Sequence, residues 1–238
     1  MAFSSQPPAK VGVSSFKYID ILASFFVAIL VVSNIASSAK IVDTGISLFF
    51  VPLAFDGGTL LFPLAYVLGD VLTEVYGFRT TRRVIWTGFA ALALSALVFF
   101  VLGVLPPEAF WEAETGGDIA YNAILGGISS GGIVLASLSA YLAGEFSNAA
   151  ILSKLKVKMK GRLLWVRTIG STLVGELLDT LIFVLIASAA GVFGWELFWP
   201  LVITNYILKC GIEALMTPFT YWASGFLKKK EGVDVYDI

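Results

Sequence analysis

The chain has 238 residues, of which 58% are hydrophobic and 14% are charged, and its formal net charge is −1. Soluble domains carry about 25% charged residues, so this composition indicates a polytopic membrane protein rather than a globular one. The chain contains no His and a single Cys, Cys210. These counts exclude internal disulfides, His/Cys metal sites and His-containing catalytic triads, so we expect neither a metal nor a cofactor.

The N-terminal residues 1–17 contain Ser, Pro and Lys and predict a disordered cytoplasmic tail. Residues 18–39 form the first predicted membrane span. A cleaved signal peptide is the alternative, because Ser37-x-Ala39 resembles a cleavage site. Against that alternative, the apolar run is longer than a signal-peptide core and the charge before it is weak.

Five further segments are predicted to cross the bilayer, since about 20 apolar residues in a helix span a hydrocarbon core of ~30 Å. They are residues 59–76, 84–105, 128–152, 163–186 and 198–226. The predicted fold is therefore an all-α membrane protein with six transmembrane helices. It would form one transmembrane domain over residues 18–228, followed by a cytoplasmic C-terminal tail over residues 229–238.

The connection between the first two spans is apolar but interrupted. Residues 41–58 contain Asp43-Thr44-Gly45, Pro52 and Asp56-Gly57-Gly58, which exclude a single spanning helix. The pattern predicts a short hairpin or re-entrant segment at membrane depth, which is tolerated only where protein or a cavity covers it. We interpret it as a lid over a binding site; the alternative is an interfacial loop without ligand contact.

The basic residues are distributed very unevenly over this topology. With six spans, fourteen of the 16 basic residues lie on one side: Lys10, Lys17, Arg79, Arg82, Arg83, Lys154, Lys156, Lys158, Lys160, Arg162, Arg167, Lys228, Lys229 and Lys230. Lys40 lies on the other side and Lys209 lies within a span. The positive-inside rule then predicts that both termini lie in the cytoplasm. The expected location of the protein is the inner (cytoplasmic) membrane.

Polar residues within the fifth and sixth spans predict a substrate site. Glu176 and Asp179 share one helical face, and Asn205, Lys209 and Glu213 recur every four residues. A charge at the centre of a lipid-facing helix costs about 2.5–3.5 kcal/mol, so such residues face a protein interior or a wet cavity. The expected outer polar layer binds a small planar ligand and consists of Asn34, Glu176, Asp179, Asn205 and Lys209, flanked by Phe183 and Tyr206.

A second polar layer is expected nearer the cytoplasm. Carboxylates there would face a cluster of arginines and close the cytoplasmic end by ion pairing; the residues are Asp70, Glu74, Glu213, Arg79, Arg82 and Arg83. The alternative is a set of buried ion pairs that fix helix register without serving a ligand. Glu145 and Asn148 are interpreted as packing or interface groups.

Several motifs together resemble the YhhQ-type queuosine-precursor transporters, a family formerly catalogued as vitamin uptake transporters. They are Ser33-Asn34-Ile35 with Lys40, Phe62-Pro63-Leu64, Gly69-Asp70-Val71-Leu72-Thr73-Glu74-Val75-Tyr76-Gly77 followed by Arg82-Arg83, Gly170-Ser171-Thr172-Leu173-Val174-Gly175 with Asp179-Thr180, and Asn205-Tyr206 with Lys209. The resemblance covers residues 18–228. It implies a six-helix inner-membrane bundle similar to the substrate-binding (S) component of energy-coupling-factor transporters. It also implies import of 7-deazaguanine precursors of the tRNA nucleoside queuosine.

This resemblance suggests how the polar layer would bind the base. A guanine-like ring presents an N–H and an NH₂ side by side, which a carboxylate accepts; Asp179 is the first choice and Glu176 the second. Asn34, Asn205 or Lys209 would donate to the ring carbonyl edge, and Phe183 and Tyr206 would stack on the ring, as aromatic side chains do on unstacked bases. The implied substrates are 7-cyano-7-deazaguanine, 7-aminomethyl-7-deazaguanine or queuine.

Three alternatives remain beside this function. The chain could be an S component that needs a separate ATPase module, or it could carry a vitamin or another purine. An intramembrane hydrolase using Asp70 and Asp179 is the alternative from another class, but the predicted depths of these carboxylates are too different for them to share a proton. We therefore expect no enzyme activity and no nucleic-acid partner, while a homodimer is left open.

Overall fold

A computed structural model describes residues 16–48, 51–129, 131–192 and 194–238. The predicted disordered tail falls mainly on residues 1–15, which lie outside the described residues. The described part of the chain contains eight α-helices: α1 Ile19–Ala39, α2 Phe62–Tyr76, α3 Phe78–Val104, α4 Ala109–Thr115, α5 Gly117–Ser129, α6 Gly131–Lys158, α7 Leu164–Ala189 and α8 Phe198–Glu231.

Four helical stretches within the described ranges are long and apolar enough to cross a membrane. They are α1, α3, α7 and the run Gly117–Lys158, which contains α5 and α6. The 15-residue α2 is shorter than the ~20 residues that usually span a bilayer, and α8 carries Lys209, Glu213 and three lysines in its last turn. The fold is thus that of a helical membrane protein, and a six-span count remains a prediction.

Two antiparallel strands occupy the connection between α1 and α2. Strand β1 (Ile41–Leu48) pairs with β2 (Val51–Asp56), with Ile41 opposite Asp56 and an irregularity in register between Asp43 and Ser47. The Gly57 N–H donates to the Lys40 carbonyl over 2.8 Å, which closes the base of this pair. The Ser33 hydroxyl donates to the Gly58 carbonyl over 3.1 Å, so the connection is also tied to α1.

Helix α2 lies at the centre of the molecule. Every residue from Ala65 to Tyr76 except Leu68 is buried. Its apolar face packs with α1 and α3 in one core that includes Phe26, Val71 and Ile85. Because the helix is enclosed by others, the polar side chains on its remaining face are held inside the bundle.

Helices α6 and α7 cross at close range through two glycines. A Cβ added to Gly144 would lie 3.2 Å from the Gly175 carbonyl oxygen, and one added to Gly175 would lie 3.0 Å from the Gly144 carbonyl oxygen. Small residues at such positions let helix backbones approach closely inside membranes. The crossing brings Asn148 of α6 and Asp179 of α7 next to it, since each lies within 3 Å of one of these Cβ positions.

Candidate functional site

The predicted substrate residues of α7 and α8 meet in a buried ion-pair centre. The Lys209 ammonium lies 2.5 Å from Asp179 Oδ2, to which it donates a hydrogen bond, and 3.2 Å from Glu176 Oε2. The Glu176 side chain is 1% exposed, whereas those of Asp179 and Lys209 are each 16% exposed. One cation thus bridges two carboxylates, of which Asp179 is the more accessible.

Tyr66 of α2 completes this centre from a third helix and was not predicted from the sequence. Its side chain is buried and lies beside the Glu176 carboxylate. A sequence signal did exist, because Tyr66 precedes Asp70 by four residues and Asp70 precedes Glu74 by four, so all three share a helical face. Tyr66, Glu176, Asp179 and Lys209 form what we call the ion-pair centre.

The other predicted substrate residues surround this centre less directly. The Asn34 amide donates to the Leu30 carbonyl of its own helix over 3.1 Å. The Tyr206 hydroxyl donates to the Leu173 carbonyl over 3.1 Å, which ties α8 to α7. Asn205 and Phe183 are half-buried on α8 and α7. The structure therefore joins the charged members of the predicted site and leaves the Asn34 amide engaged within α1.

A second cluster surrounds Glu74, whose side chain is fully buried. Arg167 donates to both of its oxygens over 2.5 and 3.2 Å, and Lys228 donates to it over 2.6 Å. The Lys156 ammonium lies 3.9 Å from the same carboxylate and donates to the Glu74 carbonyl over 2.5 Å. We call Glu74 with Arg167, Lys156 and Lys228 the Glu74 cluster.

The cations of this cluster differ from those expected. Arg79, Arg82 and Arg83, which were predicted to face the inner carboxylates, have exposed side chains on the first turns of α3. Glu74 is instead neutralised by basic residues at the ends of α6, α7 and α8. The reason is geometric: α3 leaves α2 after a single residue, so its first turns carry these arginines away from the enclosed face of α2.

The C-terminal residues fold over the Glu74 cluster. The Val235 N–H donates to the Val75 carbonyl over 3.2 Å. Asp234 forms ion pairs with Lys156 at 2.5 Å and with Lys228 at 2.9 Å. Partial burial raises the pKa of Asp234, but the hydrogen bonds from these two lysines outweigh it, so that the pKa lies below its ordinary value.

Two carboxylates near the C-terminus also cap helix N-termini. Asp237 accepts the N–H groups of Phe78 and Arg79 over 2.5 and 3.0 Å at the start of α3. Glu231 accepts the N–H groups of Lys17 and Tyr18 over 2.9 and 2.7 Å at the start of α1. Free N–H groups at helix N-termini are stabilised by such acceptors. The C-terminal residues are therefore bound to the helices through Glu231, Asp234, Val235 and Asp237.

Asp70 and Glu213, also predicted in the inner layer, contact each other rather than the arginines. The Asn148 amide donates to Asp70 Oδ1 over 2.8 Å, so this residue is more than a packing group. Glu145 is buried beside Gly69 of α2, since a Cβ there would lie 3.3 Å from Glu145 Oε2. These residues fill the space between the ion-pair centre and the Glu74 cluster.

Long apolar helices that enclose ion pairs define a membrane protein whose interior can hold a polar ligand. The model of the family described as "Putative vitamin uptake transporter" matches residues 56–223, and the chain belongs to this family of membrane transporters. No solved structure matches that of this chain.

Three curated relatives carry related names. A "Probable queuosine precursor transporter" of Bacillus subtilis (strain 168) is 28% identical over 177 residues, which are 73% of each chain. The "Queuosine precursor transporter" of Escherichia coli (strain K12) is 27% identical over 130 residues, 55% of this chain and 53% of the relative. A "Probable queuosine precursor transporter" of Haemophilus influenzae (strain ATCC 51907 / DSM 11121 / KW20 / Rd) is 25% identical over 67% of this chain and 63% of the relative.

Proposed function

We propose that this chain takes up queuosine precursors across the cytoplasmic (inner) membrane. The substrates are 7-deazaguanine bases: 7-cyano-7-deazaguanine, 7-aminomethyl-7-deazaguanine or queuine. The family and the names of the three relatives support this class of substrate. The observation that carries it in this chain is the buried ion-pair centre, where the Lys209 ammonium lies between Asp179 and Glu176.

The centre offers the donors and acceptors that a guanine-like ring requires. Asp179 is more accessible than Glu176, so it accepts the adjacent ring N–H and NH₂. Lys209 donates to the ring carbonyl without leaving the carboxylates, since an ammonium has three donor hydrogens. A substrate with an aminomethyl group adds a positive charge, which the second carboxylate, Glu176, balances.

Aromatic side chains stand beside the charged centre. Tyr206 and Phe183 are half-buried on the two helices that carry Lys209 and Asp179. Stacking of a base on an aromatic side chain is worth about 1–3 kcal/mol, so these residues hold the ring plane while the charged groups bind its edge. Asn205, also half-buried on α8, is a further donor near the same face.

Membrane orientation places the two clusters at different depths. In this proposal α2 and α8 cross the membrane, as do the four long apolar stretches. The chain then has six membrane spans with both termini in the cytoplasm. The Glu74 cluster and the bound C-terminal residues then lie at the cytoplasmic end, beside the exposed arginines of α3. They close that end, and the paired strands β1 and β2 cover the ion-pair centre from outside.

Equilibrium binding to the purified protein tests the substrate class. The three 7-deazaguanine bases, guanine, and several vitamins are titrated against the protein in detergent. We expect the 7-deazaguanine bases to bind more tightly than guanine and the vitamins to bind weakly. Preferential binding of a vitamin would contradict the proposal.

A further inference from the structure

The interior of the helical bundle contains more acidic than basic groups. Among the residues whose burial is described, and apart from the Glu74 cluster, five carboxyl groups lie there with one ammonium: Asp70, Glu145, Glu176, Asp179 and Glu213 with Lys209. Lys209 contacts Asp179 and Glu176, whereas Arg167, Lys156 and Lys228 of the Glu74 cluster contact Glu74 and Asp234. A buried charge without a partner costs several kcal/mol even after relaxation, so the remaining carboxyl groups need another source of positive charge.

Asp70 and Glu213 show where that charge is required. The two carboxyl groups lie beside each other, and they are 0% and 3% exposed. Within the described residues, neither Asp70 Oδ2 nor Glu213 Oε2 receives a hydrogen bond from an N–H or O–H donor. Ionised carboxylates only accept hydrogen bonds, so a hydrogen bond between two of them needs a proton on one.

The surroundings of the pair assign the proton to Glu213. Asn148 already donates to Asp70 Oδ1 over 2.8 Å and stabilises Asp70 as the ionised partner. Further groups that act on the pair are Glu74 from α2, Glu145 from α6, Glu176 from α7 and Cys210 from α8. These four side chains are acidic or neutral, and α1 and α3 pack apolar residues such as Phe26 and Ile85 against α2.

We propose that the Asp70–Glu213 pair binds one proton and that this proton is carried inward with the substrate. The proton comes from the outer aqueous phase, resides on Glu213 and hydrogen-bonds Asp70. It is released to the cytoplasm after the substrate leaves. The coupling rests on the proposed function, whereas the proton site itself stands on the geometry of the pair.

Lys209 links the proton to the substrate site. It lies one helical turn before Glu213 on α8, and it contacts the two carboxylates that we assign to the substrate. With the proton bound, the pair carries a single negative charge and Lys209 stays with Asp179 and Glu176. Loss of the proton leaves two adjacent carboxylates, which attract the long Lys209 side chain and disassemble the substrate site. Proton and substrate therefore favour each other's binding, as thermodynamic linkage requires.

Infrared difference spectroscopy tests the proton site without any substrate. At neutral pH the wild-type protein should show the carbonyl band of a protonated carboxyl group that is absent from Glu213→Gln and shifts in Asp70→Asn. Glu114→Gln, at an exposed position on α4, is the matched control and should leave the band unchanged. If the wild-type minus Glu213→Gln spectrum contains only bands of ionised carboxylate, the proton site is wrong. If Glu213→Gln fails to fold, Asp70→Asn decides the same question. The carbonyl band of the protonated carboxyl group must then shift between wild type and Asp70→Asn.

Uptake of a 7-deazaguanine base into proteoliposomes tests the coupling. An acidic exterior should raise wild-type uptake several-fold over equal pH, and the ratio of the two rates should fall to unity in Glu213→Gln. If the rate of wild-type uptake is the same with and without the pH gradient, the coupling is wrong and the proposed function is unaffected. Absence of both binding and uptake of the base would overturn the proposed function, and the infrared spectrum would still decide the proton site.

Discussion

Single residues determine which carboxylate meets the substrate. Glu176 and Asp179 lie on the same face of α7 and contact the same ammonium, but only Asp179 and Lys209 are partly exposed. Tyr66 from α2 also lies beside Glu176. Asp179 is therefore the acceptor that a ligand reaches first, and Glu176 fixes the position of Lys209.

Replacing Asp179 should weaken binding of the 7-deazaguanine base. Asp179→Ala removes a charged acceptor, and a hydrogen bond to a charged group contributes about 1.5–3 kcal/mol net. A loss of at least ~2 kcal/mol corresponds to about thirtyfold weaker affinity in equilibrium binding. Asp179→Asn should also fail, because it turns an NH₂ towards the ligand's donors. Glu114→Ala, at an exposed position, is the control. If Asp179→Ala keeps nearly wild-type affinity, Asp179 is not the main acceptor and the substrate binds instead at Asp70 and Glu213.

Glu74 should matter for stability and for transport rather than for affinity. Glu74→Gln leaves Arg167 and Lys228 without their buried counter-charge, and breaking a buried ion pair costs about 3–5 kcal/mol. We expect a lower unfolding temperature and slower uptake, with nearly unchanged affinity in the folded fraction. Arg82→Gln, which changes an exposed charge of α3, is the matched control. Equal thermal stability of Glu74→Gln and wild type would contradict the role of the cluster.

At the scale of the elements, the joint between α2 and α3 is tightly constrained. Gly77 alone connects the two helices, with φ 83°, a conformation that glycine adopts without steric cost. A Cβ at this position would lie 2.5 Å from Asp237 Oδ1 and 2.7 Å from the Val235 side chain. The joint and the C-terminal residues therefore fit together only with glycine at position 77.

Gly77→Ala should release the C-terminal residues. The substitution strains the backbone by about 1–3 kcal/mol and displaces Val235 and Asp237 from their contacts. Limited digestion with a carboxypeptidase should then remove residues 232–238 faster than from wild type. Gly225→Ala on α8, where an added Cβ meets nothing within 4 Å, should digest at the wild-type rate. If Gly77→Ala resists the carboxypeptidase as well as wild type does, the C-terminal residues are held by other contacts.

The sequence predicted the helical elements better than their ends. The spacing of Glu176 and Asp179 on one face, and of Lys209 and Glu213 on another, was sufficient to place charged groups inside the bundle. It was not sufficient to extend α8 to Glu231 or to predict the binding of residues 232–238. That segment has no hydrophobic period, and it is held by backbone hydrogen bonds and ion pairs to α2, α3 and α6, which only the tertiary fold creates.

For the molecule as a whole, the distribution of basic residues predicts its orientation. Single cysteines at Arg82 and Glu114, both exposed, are introduced into a Cys210→Ala background. A membrane-impermeant thiol reagent applied to intact cells should label the cysteine at position 114 and not that at position 82. A reporter domain after Ile238 should report the cytoplasm. Labelling at position 82 from outside would reverse the assigned depths of both clusters.

Uptake by the purified chain alone tests the transport function most directly. The protein is reconstituted into liposomes without any ATPase, and entry of a radiolabelled 7-deazaguanine base is followed with wild type, Asp179→Ala and the exposed control Glu114→Ala. The proposed function predicts that wild type and the control accumulate the base, whereas Asp179→Ala does not. Binding of the base without uptake would show that the chain is a substrate-binding component that needs a separate motor. Equal uptake by Asp179→Ala and wild type would contradict the central role of the ion-pair centre.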